Sequence, residues 1–332
     1  MIPLRAPEPV GPVEPATTAP SIAVVIAAYN ASATISATLN SVFTQTLPPD
    51  EVVVCDDGSD DVEELRAALS PFGDRVRLVH VDHGGESRAK NGAVAATSSD
   101  VVCVLDADDL WEPRRLEAVA EALRVRPDLS FVTTDAWHVR AGRRVVRHYA
   151  VNDFPTDGQR SAILRSNFVF GHTAVRRSAW DDVSGFSEAL TVGADWDCWL
   201  RLIYRGHLVG LVDEPLASYL LSPGSLSGNR ARAMRARVLL LEKAAAEQTF
   251  SADEGDVLRQ SLQRWGTAAV LAEADEAVRS GSADVRRRCL AVTRTPGVGA
   301  RTRVKHALAA AAPGLARRRR SQVDREADDA GE

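Results

Sequence analysis

Long apolar segments and the signatures of several common protein classes are missing from this 332-residue chain. No stretch approaches the ~18–20 continuous apolar residues that a membrane-spanning helix needs. The four cysteines have no paired spacing for zinc, and two of them lie in apolar strand patterns, so we interpret them as buried small side chains in a reducing compartment. The formal net charge of -5 argues against general nucleic-acid binding.

Two nucleotide-binding motifs are absent as well. No G-x-G-x-x-G follows the first predicted strand, which argues against a dinucleotide dehydrogenase, and no G-x-x-x-x-G-K-[ST] is present, which argues against a P-loop NTPase. Residues 1–20 are rich in proline and lack the charged-then-apolar order of a signal peptide. We therefore expect a disordered, proline-rich tail over residues 1–20.

From residue 21 the chain shows a regular alternation of strand and helix patterns. The predicted strands are Ile22–Ala27, Glu51–Cys55, Val76–His80 and Val101–Leu105. The predicted helices are Ala31–Phe43, Asp61–Leu69, Ser87–Ala96 and a fourth helix marked by Leu116, Val119 and Leu123. This alternation predicts βαβ units and therefore an α/β fold, with a mostly parallel sheet covered by helices on both faces.

The pattern changes after Leu129. Ser130–Trp137 and Arg143–Tyr149 have strand patterns, residues 160–227 mix short helices and strands, and residues 230–292 are mostly helical. We predict one domain over residues 21–228, with halves at 21–129 and 130–228. A C-terminal helical extension over 229–300 and a basic, then acidic, tail over 301–332 complete the prediction.

Acidic residues cluster where the fourth predicted strand ends. Val101–Leu105 runs directly into Asp106-Ala107-Asp108-Asp109, and open α/β sheets bind ligands at the carboxyl ends of their strands. Carboxylates crowded there repel each other unless a positive group lies between them. A divalent cation that also carries phosphate oxygens fits this pattern. The alternative is a strand followed by an acidic helix cap.

Two more loops would meet at the same edge of the sheet. Ala28-Tyr29-Asn30 follows the first strand, and Asp56-Asp57-Gly58-Ser59 follows the second. Gly84–Gly92 opens the third helix, where backbone amides and Lys90 suit phosphate. Each piece alone is more often a turn before a helix or a solvated charge. Together they predict a nucleoside diphosphate site, with acids of the second loop near the base and ribose.

On these motifs, residues 22 to about 227 resemble the family 2 glycosyltransferases of the GT-A fold. The resemblance implies a fold that binds nucleoside diphosphate sugars and a bound Mg²⁺ or Mn²⁺ held by Asp108 and Asp106. The implied donor-binding residues are Ala28, Tyr29, Asn30, Asp56, Asp57, Lys90, Asp106 and Asp108. Where the family has Ala-Arg-Asn, this chain has Ala89-Lys90-Asn91, which keeps the charge but loses fork-shaped donation.

The acceptor half shows the resemblance in Gly193–Leu202, where the family has a Glu-Asp pair before an aromatic residue. Ala194 stands at the Glu position, and Asp195 is the implied general base. Asp195 also fits an N-cap of a Trp196–Tyr204 helix. The residues expected on the acceptor side are Trp196, Asp197 and His172, the last of which fits a structural loop histidine equally well. Near Tyr219, Leu220 and Ser222 replace the family's Arg and His, which puts a pyrophosphate contact there in doubt.

The resemblance implies inverting transfer of a sugar to a hydroxyl acceptor, a glycan or lipid-linked glycan, with a UDP-type donor as the family default. A catalytically inactive nucleotide-sugar-binding module is the alternative. A nucleotidyltransferase is less favoured, because it needs a Gly-rich basic loop after the first strand. We expect a cytoplasmic protein. Basic residues flanking Ala307–Leu315 suit loose attachment to anionic lipid, and a solvated tail is the alternative; they are Arg301, Arg303, Lys305, Arg317, Arg318, Arg319 and Arg320.

Overall fold

The structure is a computed structural model and describes residues 2–9, 11–12, 14–221 and 230–318. The chain divides into two compact units, one up to Ser225 and one from Leu226. The first unit is α/β and the second is helical. Among the described residues, no helix combines the length and the apolar character required to cross a bilayer.

The elements of the first unit follow in chain order. Its strands are β1 (Leu4–Arg5), β2 (Ile22–Ala28), β3 (Glu51–Asp56), β4 (Arg77–His80), β5 (Val101–Asp106), β6 (Leu110–Trp111), β7 (Leu129–Arg140), β8 (Arg143–Arg147), β9 (Thr173–Arg176) and β10 (Leu208–Leu220). Its helices are α1 (Ile35–Phe43), α2 (Val62–Leu69), α3 (Glu86–Ala95), α4 (Arg115–Val125), α5 (His148–Val151), α6 (Gln159–Arg165), α7 (Arg177–Asp182) and α8 (Ala194–Tyr204). A 3-10 helix spans Ser70–Arg75.

The first half of this unit is a parallel sheet in the order β5-β2-β3-β4. Strand β2 is buried along almost its whole length, which is the pattern of a strand covered on both faces. The four predicted strands are present to within a residue or so at each end. Helix α1 begins at Ile35, later than predicted, because residues 32–34 form a turn.

The second half makes the sheet mixed. The strand order is β1-β10-β7-β9-β5-β2-β3-β4; β7 is parallel to β10 and antiparallel to β9, and β9 is antiparallel to β5. The parallel character therefore dominates the first half but not the whole sheet. The predicted strand Arg143–Tyr149 ends at Arg147, because α5 begins at His148.

The proline-rich tail was expected to be disordered, and this is wrong for part of it. Leu4 and Arg5 form β1, which pairs antiparallel with Val212 and Leu211 of β10. Leu4 also packs against the main core. The edge strand β10 offers backbone groups that a short extended segment satisfies, so composition alone did not decide the structure of this segment.

The second unit contains α9 (Arg230–Glu247), α10 (Ala252–Ser280), α11 (Val285–Arg294) and α12 (Ala300–Ala311). A capping box starts α10: the amide of Glu254 donates to Ser251 Oγ, and the amide of Ser251 donates to the Glu254 carboxylate. The predicted tail from residue 301 is wrong up to residue 318, because α12 packs into the core of this unit and residues 313–318 are helical too. Residues 319–332 lie outside the described part.

Candidate active site

The carboxyl ends of β2, β3 and β5 lie side by side. Ala28 is paired with Asp56 across β2 and β3, and Ala27 is paired with Asp106 across β2 and β5. The three loops identified in the sequence therefore open from one edge of the sheet. Parallel pairing of apolar strands of similar length produces this arrangement, since each strand ends where its polar residues begin.

The loop after β2 is tied to the loop after β3. The amide of Asn30 donates to Ser59 Oγ at 2.9 Å, and Asn30 Oδ1 accepts the amide of Asp60 at 2.9 Å. Ala28 is buried, and its carbonyl accepts the amide of Asp57 at 2.9 Å. The predicted donor contacts Ala28 and Asn30 thus shape this edge of the site.

The Tyr29 ring lies half exposed beside these loops and stacks on His83, with ring centroids 4.6 Å apart and an angle of 30°. His83 Nδ1 lies 3.0 Å from the backbone oxygen of Asp57. The pair forms an exposed aromatic surface at the sheet edge, and the sequence analysis did not include His83. An aromatic residue in the segment before the third helix was the only available signal.

Asp56 is fully buried and pairs with a second histidine that the sequence analysis missed. Its Oδ1 accepts the amide of Ser59 at 3.1 Å, and its Oδ2 lies 2.7 Å from Nδ1 of His80. Burial raises the pKa of Asp56, but hydrogen bonds from Ser59 and His80 outweigh it, so the pKa is lowered. The imidazole of His80, more than half exposed, is therefore the outward-facing part of this pair.

Asp57 holds the next loop in place. Its two carboxylate oxygens accept the amides of Gly84 and Gly85, each at 2.9 Å. Gly85 is the N-cap of α3 with φ of 92°, a conformation that favours glycine. The predicted ribose contact of Asp57 would compete with these hydrogen bonds, so the geometry assigns Asp57 to fixing the start of α3.

Lys90 is paired with acids. Its Nζ donates to Asp106 Oδ1 at 2.7 Å and to the Glu86 carboxylate one helical turn earlier. Burial lowers the pKa of Lys90, but the charges of Asp106 and Glu86 more than reverse this and raise it. Burial likewise raises the pKa of Asp106, and the Lys90 charge brings it below its usual value. Lys90 is therefore already engaged by two carboxylates, and it offsets only part of the negative charge at this edge.

Asp108 is the exposed acid of this cluster. Its pKa is raised by partial burial and by the charges of Asp109 and Asp106. A cation between these carboxylates would remove that repulsion, so the acids present fit a divalent metal ion. The oxygens available to such an ion are those of the exposed Asp108 carboxylate and the Asp106 oxygen that does not accept from Lys90.

Asp109 is fully buried, and its carboxylate links the turn after β5 to β10 and to His172. It accepts the amide of Leu220 at 2.7 Å on Oδ1, and its Oδ2 lies 2.8 Å from Nε2 of His172. Nδ1 of His172 is 3.3 Å from Nε1 of Trp111, whose indole N–H can only donate, so Nε2 of His172 carries the proton toward Asp109. The expected acceptor-side role of His172 is thus not supported, because its ring is buried and both nitrogens are bound inside the protein.

A second ligand set includes this pair. Carboxylate oxygens of Asp106 and Asp109 and a ring nitrogen of His172 lie within 4.8 Å of one another. A cation there would displace the proton that His172 Nε2 donates to Asp109, whereas the Asp108 carboxylate makes no such bond to the side chains that the structure describes. The pair Asp106 and Asp108 remains the predicted ligand set, and Asp106, Asp109 and His172 are the alternative that the described residues offer.

A buried arginine, also missed by the sequence analysis, anchors His172. Arg115 donates to the His172 carbonyl and to Thr134 Oγ1, and its guanidinium lies 4.7 Å from the Trp111 ring centre. Complete burial lowers the pKa of Arg115 to about 10. An arginine in the first turn of a helix is usually exposed, so the sequence did not predict this buried role of Arg115.

Asp195 lies in the first turn of α8, not at its N-cap. The helix begins at Ala194, and Gly193 with φ of 79° is the N-cap residue. Asn167 Nδ2 donates to Asp195 Oδ2 at 2.8 Å. Burial raises the pKa of Asp195.

The charges that act on Asp195 place it beside the acidic edge. Glu86 and Asp106 raise its pKa, and Lys90 lowers it. These are the same three residues that form the ion-pair cluster on α3 and β5. Tertiary folding therefore brings the acid of α8 within electrostatic range of Glu86, Lys90 and Asp106.

Two neighbours of Asp195 were expected on the acceptor side and instead belong to the core. Trp196 is buried, and its Nε1 donates to the Ile163 carbonyl at 2.7 Å. Asp197 is buried, and its Oδ2 accepts from Arg201 Nε at 2.7 Å. The helical period turns both away from Asp195, because residues one and two positions apart do not share a helix face.

Comparison with known proteins agrees with this geometry. The profile of glycosyl transferase family 2 matches residues 23–184, just under half of the chain. A chondroitin synthase of Escherichia coli is 29% identical over 186 residues, which cover 55% of this chain and 26% of that protein. The succinoglycan biosynthesis protein ExoO of Rhizobium meliloti is 29% identical over 256 residues, covering 73% of this chain and 70% of that protein.

The fold has relatives among solved structures. The mannosyltransferase PcManGT of Pyrobaculum calidifontis, solved with GDP-Man and Mn²⁺, superposes with a TM-score of 0.56 at 20% identity, covering 91% of this chain and 89% of that one. Residues 23–184 therefore match glycosyl transferase family 2, and the first unit has the GT-A fold of these solved relatives. The chain spans about a quarter of the length of the chondroitin synthase.

Proposed function

We propose that this chain transfers a sugar from a nucleoside diphosphate sugar to a hydroxyl group, with inversion at the sugar carbon. The observation that carries the proposal is the meeting of two sets of acids. Asp106 ends β5 at the carboxyl edge of the sheet, Asp108 lies in the turn that follows, and the charge of Asp106 raises the pKa of Asp195. Asp106 and Asp108 suit a cation that carries the diphosphate, and Asp195 suits the acceptor hydroxyl.

On the donor side, the chain's own residues bind and orient the nucleotide. The base would stack on the surface made by Tyr29 and His83. Such stacking buries apolar ring surface and does not select one base over another. His80, fixed by Asp56, offers a hydrogen-bonding nitrogen to the base or ribose. The loop that Asp57 holds presents the start of α3 and its amides to phosphate.

Asp106 and Asp108 would hold Mg²⁺ or Mn²⁺ on the diphosphate. A bound cation there supplies neutralisation of the leaving diphosphate as its charge develops. Lys90 keeps Asp106 ionised and orients its Oδ1, which leaves the second oxygen free as a ligand. The Mn²⁺ in the PcManGT structure supports this part of the proposal.

Asp195 would act as the general base. Inversion by direct displacement needs a base on the acceptor side, opposite the leaving group. Its raised pKa makes it a stronger base than an ordinary aspartate, and Asn167 fixes the direction of its carboxylate.

The donor and acceptor follow the relatives. We propose a UDP-type donor and a glycan or lipid-linked glycan acceptor in the cytoplasm, in line with the polysaccharide products named for the chondroitin synthase and ExoO. The protein would act in polysaccharide biosynthesis.

We further propose that α12 contacts an anionic membrane surface. Its large apolar residues point outward, with Val304 59% and Leu308 67% exposed, while Ala309 and Ala310 fill the inner face. An ordinary surface helix buries its large apolar residues, whereas α12 exposes them. Exposed apolar residues beside basic ones suit a helix that lies at a membrane interface. Within the predicted basic set, Arg303 is instead engaged with the Val298 and Thr295 carbonyls.

Liposome co-sedimentation tests this contact. The full chain is expected to bind anionic vesicles at low salt and to lose binding as salt rises, because the electrostatic part is screened. Leu308→Ser should weaken binding, and Val151→Ser, at a similarly exposed apolar position of α5, serves as control. Equal binding of wild type and Leu308→Ser would contradict the role of α12.

Thermal shift against a panel of nucleotide sugars with Mn²⁺ tests the main proposal. A true donor raises the melting temperature by mass action, and an Asp108→Asn variant should lose the shift. Hydrolysis of the donor without acceptor then separates a transferase from an inactive binding module. Binding without any hydrolysis or transfer would favour the module.

A further inference from the structure

The helical unit is basic, although the whole chain is acidic. Residues 230–318 contain 17 Lys and Arg against nine Asp and Glu, whereas the whole chain carries a formal charge of -5. A large local excess of one sign raises the concentration of oppositely charged ligands at that surface. This unit contains none of the donor-site residues, so its charge needs a separate explanation.

One cleft in this unit collects part of that charge. It has a volume of about 350 Å³ and is lined by residues of α9, α10 and α11: Arg235, Val270, Glu273, Arg287, Arg288 and Ala291. Three arginines thus face one glutamate across a partly apolar floor. The cleft lies within a single unit, so its shape is set by the packing of these helices alone.

The arginines are not equally neutralised. Arg288 Nη1 donates to Glu273 at 2.5 Å, and Arg287 pairs with Asp284 one turn earlier on the exposed surface. Arg235 is exposed and has no ion pair with the residues that the structure describes. The cleft therefore keeps a net positive charge after its internal pairs are counted.

Exposed leucines flank the arginines. Leu239 follows Arg235 by four residues on α9, and Leu290 follows Arg287 by three on α11, so each pair shares a helix face. Both leucines are more than 40% exposed. Guanidinium groups beside exposed apolar side chains match a ligand with a phosphate at one end and an apolar part at the other.

We propose that this cleft binds a phosphate group, with Arg235 and Arg287 as the principal donors and Arg288 held in place by Glu273. Planar guanidinium groups bind phosphate oxygens with two parallel hydrogen bonds, which lysine cannot do. The phosphate comes either from a lipid headgroup or from a soluble phosphate compound. The site is separate from the donor site and does not depend on the proposed transferase activity.

The test uses the full chain in EDTA, which suppresses metal-assisted binding at the donor site. Inorganic phosphate is followed by titration calorimetry, and vesicles of phosphatidic acid in phosphatidylcholine are followed by co-sedimentation. The cleft variant is Arg235→Gln/Arg287→Gln. The control, Arg259→Gln/Arg279→Gln, removes the same charge from exposed positions of α10 outside the cleft.

Wild type and control are expected to bind phosphate alike, and the cleft variant to bind roughly tenfold more weakly, since it loses charged hydrogen bonds. Loss of phosphatidic acid binding in the same variant assigns the phosphate to a lipid headgroup. Loss of inorganic phosphate binding with vesicle binding unchanged assigns it to a soluble compound. The proposal is overturned if wild type binds neither probe, or if the control loses as much as the cleft variant. Circular dichroism confirms that both variants are folded.

Discussion

Replacing Asp195 with asparagine removes the proposed base while keeping the shape of its side chain. The asparagine oxygen can still accept the hydrogen bond that Asn167 Nδ2 donates at 2.8 Å. The change therefore removes a proton acceptor and a charge, with little loss of packing. A general base contributes roughly 10²–10⁴-fold to the rate, which corresponds to about 3–5 kcal/mol of transition-state stabilisation.

Stability should move in the opposite direction from activity. The pKa of Asp195 is raised because burial disfavours its charged form, so the ionised carboxylate costs free energy in the folded state above that pKa. A neutral asparagine avoids the cost. We expect the melting temperature of Asp195→Asn at neutral pH to equal or exceed that of wild type while kcat falls.

The pH profile supplies a second signature. Asp195 acts as a base only when it is deprotonated, so kcat should fall as pH drops through its raised pKa. That fall should occur at higher pH than for an aspartate with the ordinary value. The acid limb should disappear in Asp195→Asn, because the group that titrates is gone.

The assay is steady-state transfer from the donor identified by thermal shift, together with donor binding by calorimetry. Asp181→Asn, which removes an exposed acid of α7, is the charge-matched control and should behave as wild type. Asn167→Ala should lower kcat by less than Asp195→Asn does, since it frees the carboxylate without removing it. Turnover that persists in Asp195→Asn together with a lowered melting temperature would refute the reasoning and make Asp195 a structural residue.

Three further outcomes are expected. Asp108→Asn should abolish transfer and weaken nucleoside diphosphate binding in Mn²⁺ with native circular dichroism; full wild-type activity in EDTA would contradict a metal-assisted reaction. Lys90→Met should lower the free energy of unfolding by about 3 kcal/mol, because Asp106 loses its counter-charge, and adding Asp106→Asn should restore much of it in denaturant titrations. Glu51→Gln should cost about 1 kcal/mol at neutral pH. The pKa of Glu51 is lowered because hydrogen bonds from Ser99 and Ser98 outweigh burial, so this difference is present at neutral pH and should vanish as pH falls through the lowered pKa. A difference that is independent of pH would contradict this.

The helical unit shows where local patterns were insufficient. The sequence predicted helices up to about residue 292 and a tail from residue 301, because alanine and arginine give little amphipathic contrast. In the structure, Ala309 and Ala310 of α12 are buried with Cys289 and Val292 of α11. Small side chains allow that close packing, and packing between helices cannot be read from the period of one helix.

The sequence by itself determined the layout of the donor half. Apolar runs such as Ile22–Ala27 and Val101–Leu105 bury both faces of a strand, and the polar residues that follow must then lie at the carboxyl edge. This places Asp56, Asp106 and Asp108 at the edge of the sheet with no knowledge of distant contacts.

Only the tertiary structure decided which acids remain available there. Asp57 is bound to amides of Gly84 and Gly85, and Asp109 is bound to His172, which lies 63 residues away in the chain. The charge of Asp106 reaches Asp195, which lies in another helix. Hydrogen bonds and charges act over a few ångströms whatever the sequence separation, so the strand pattern fixes where an acid lies but not what it is bound to.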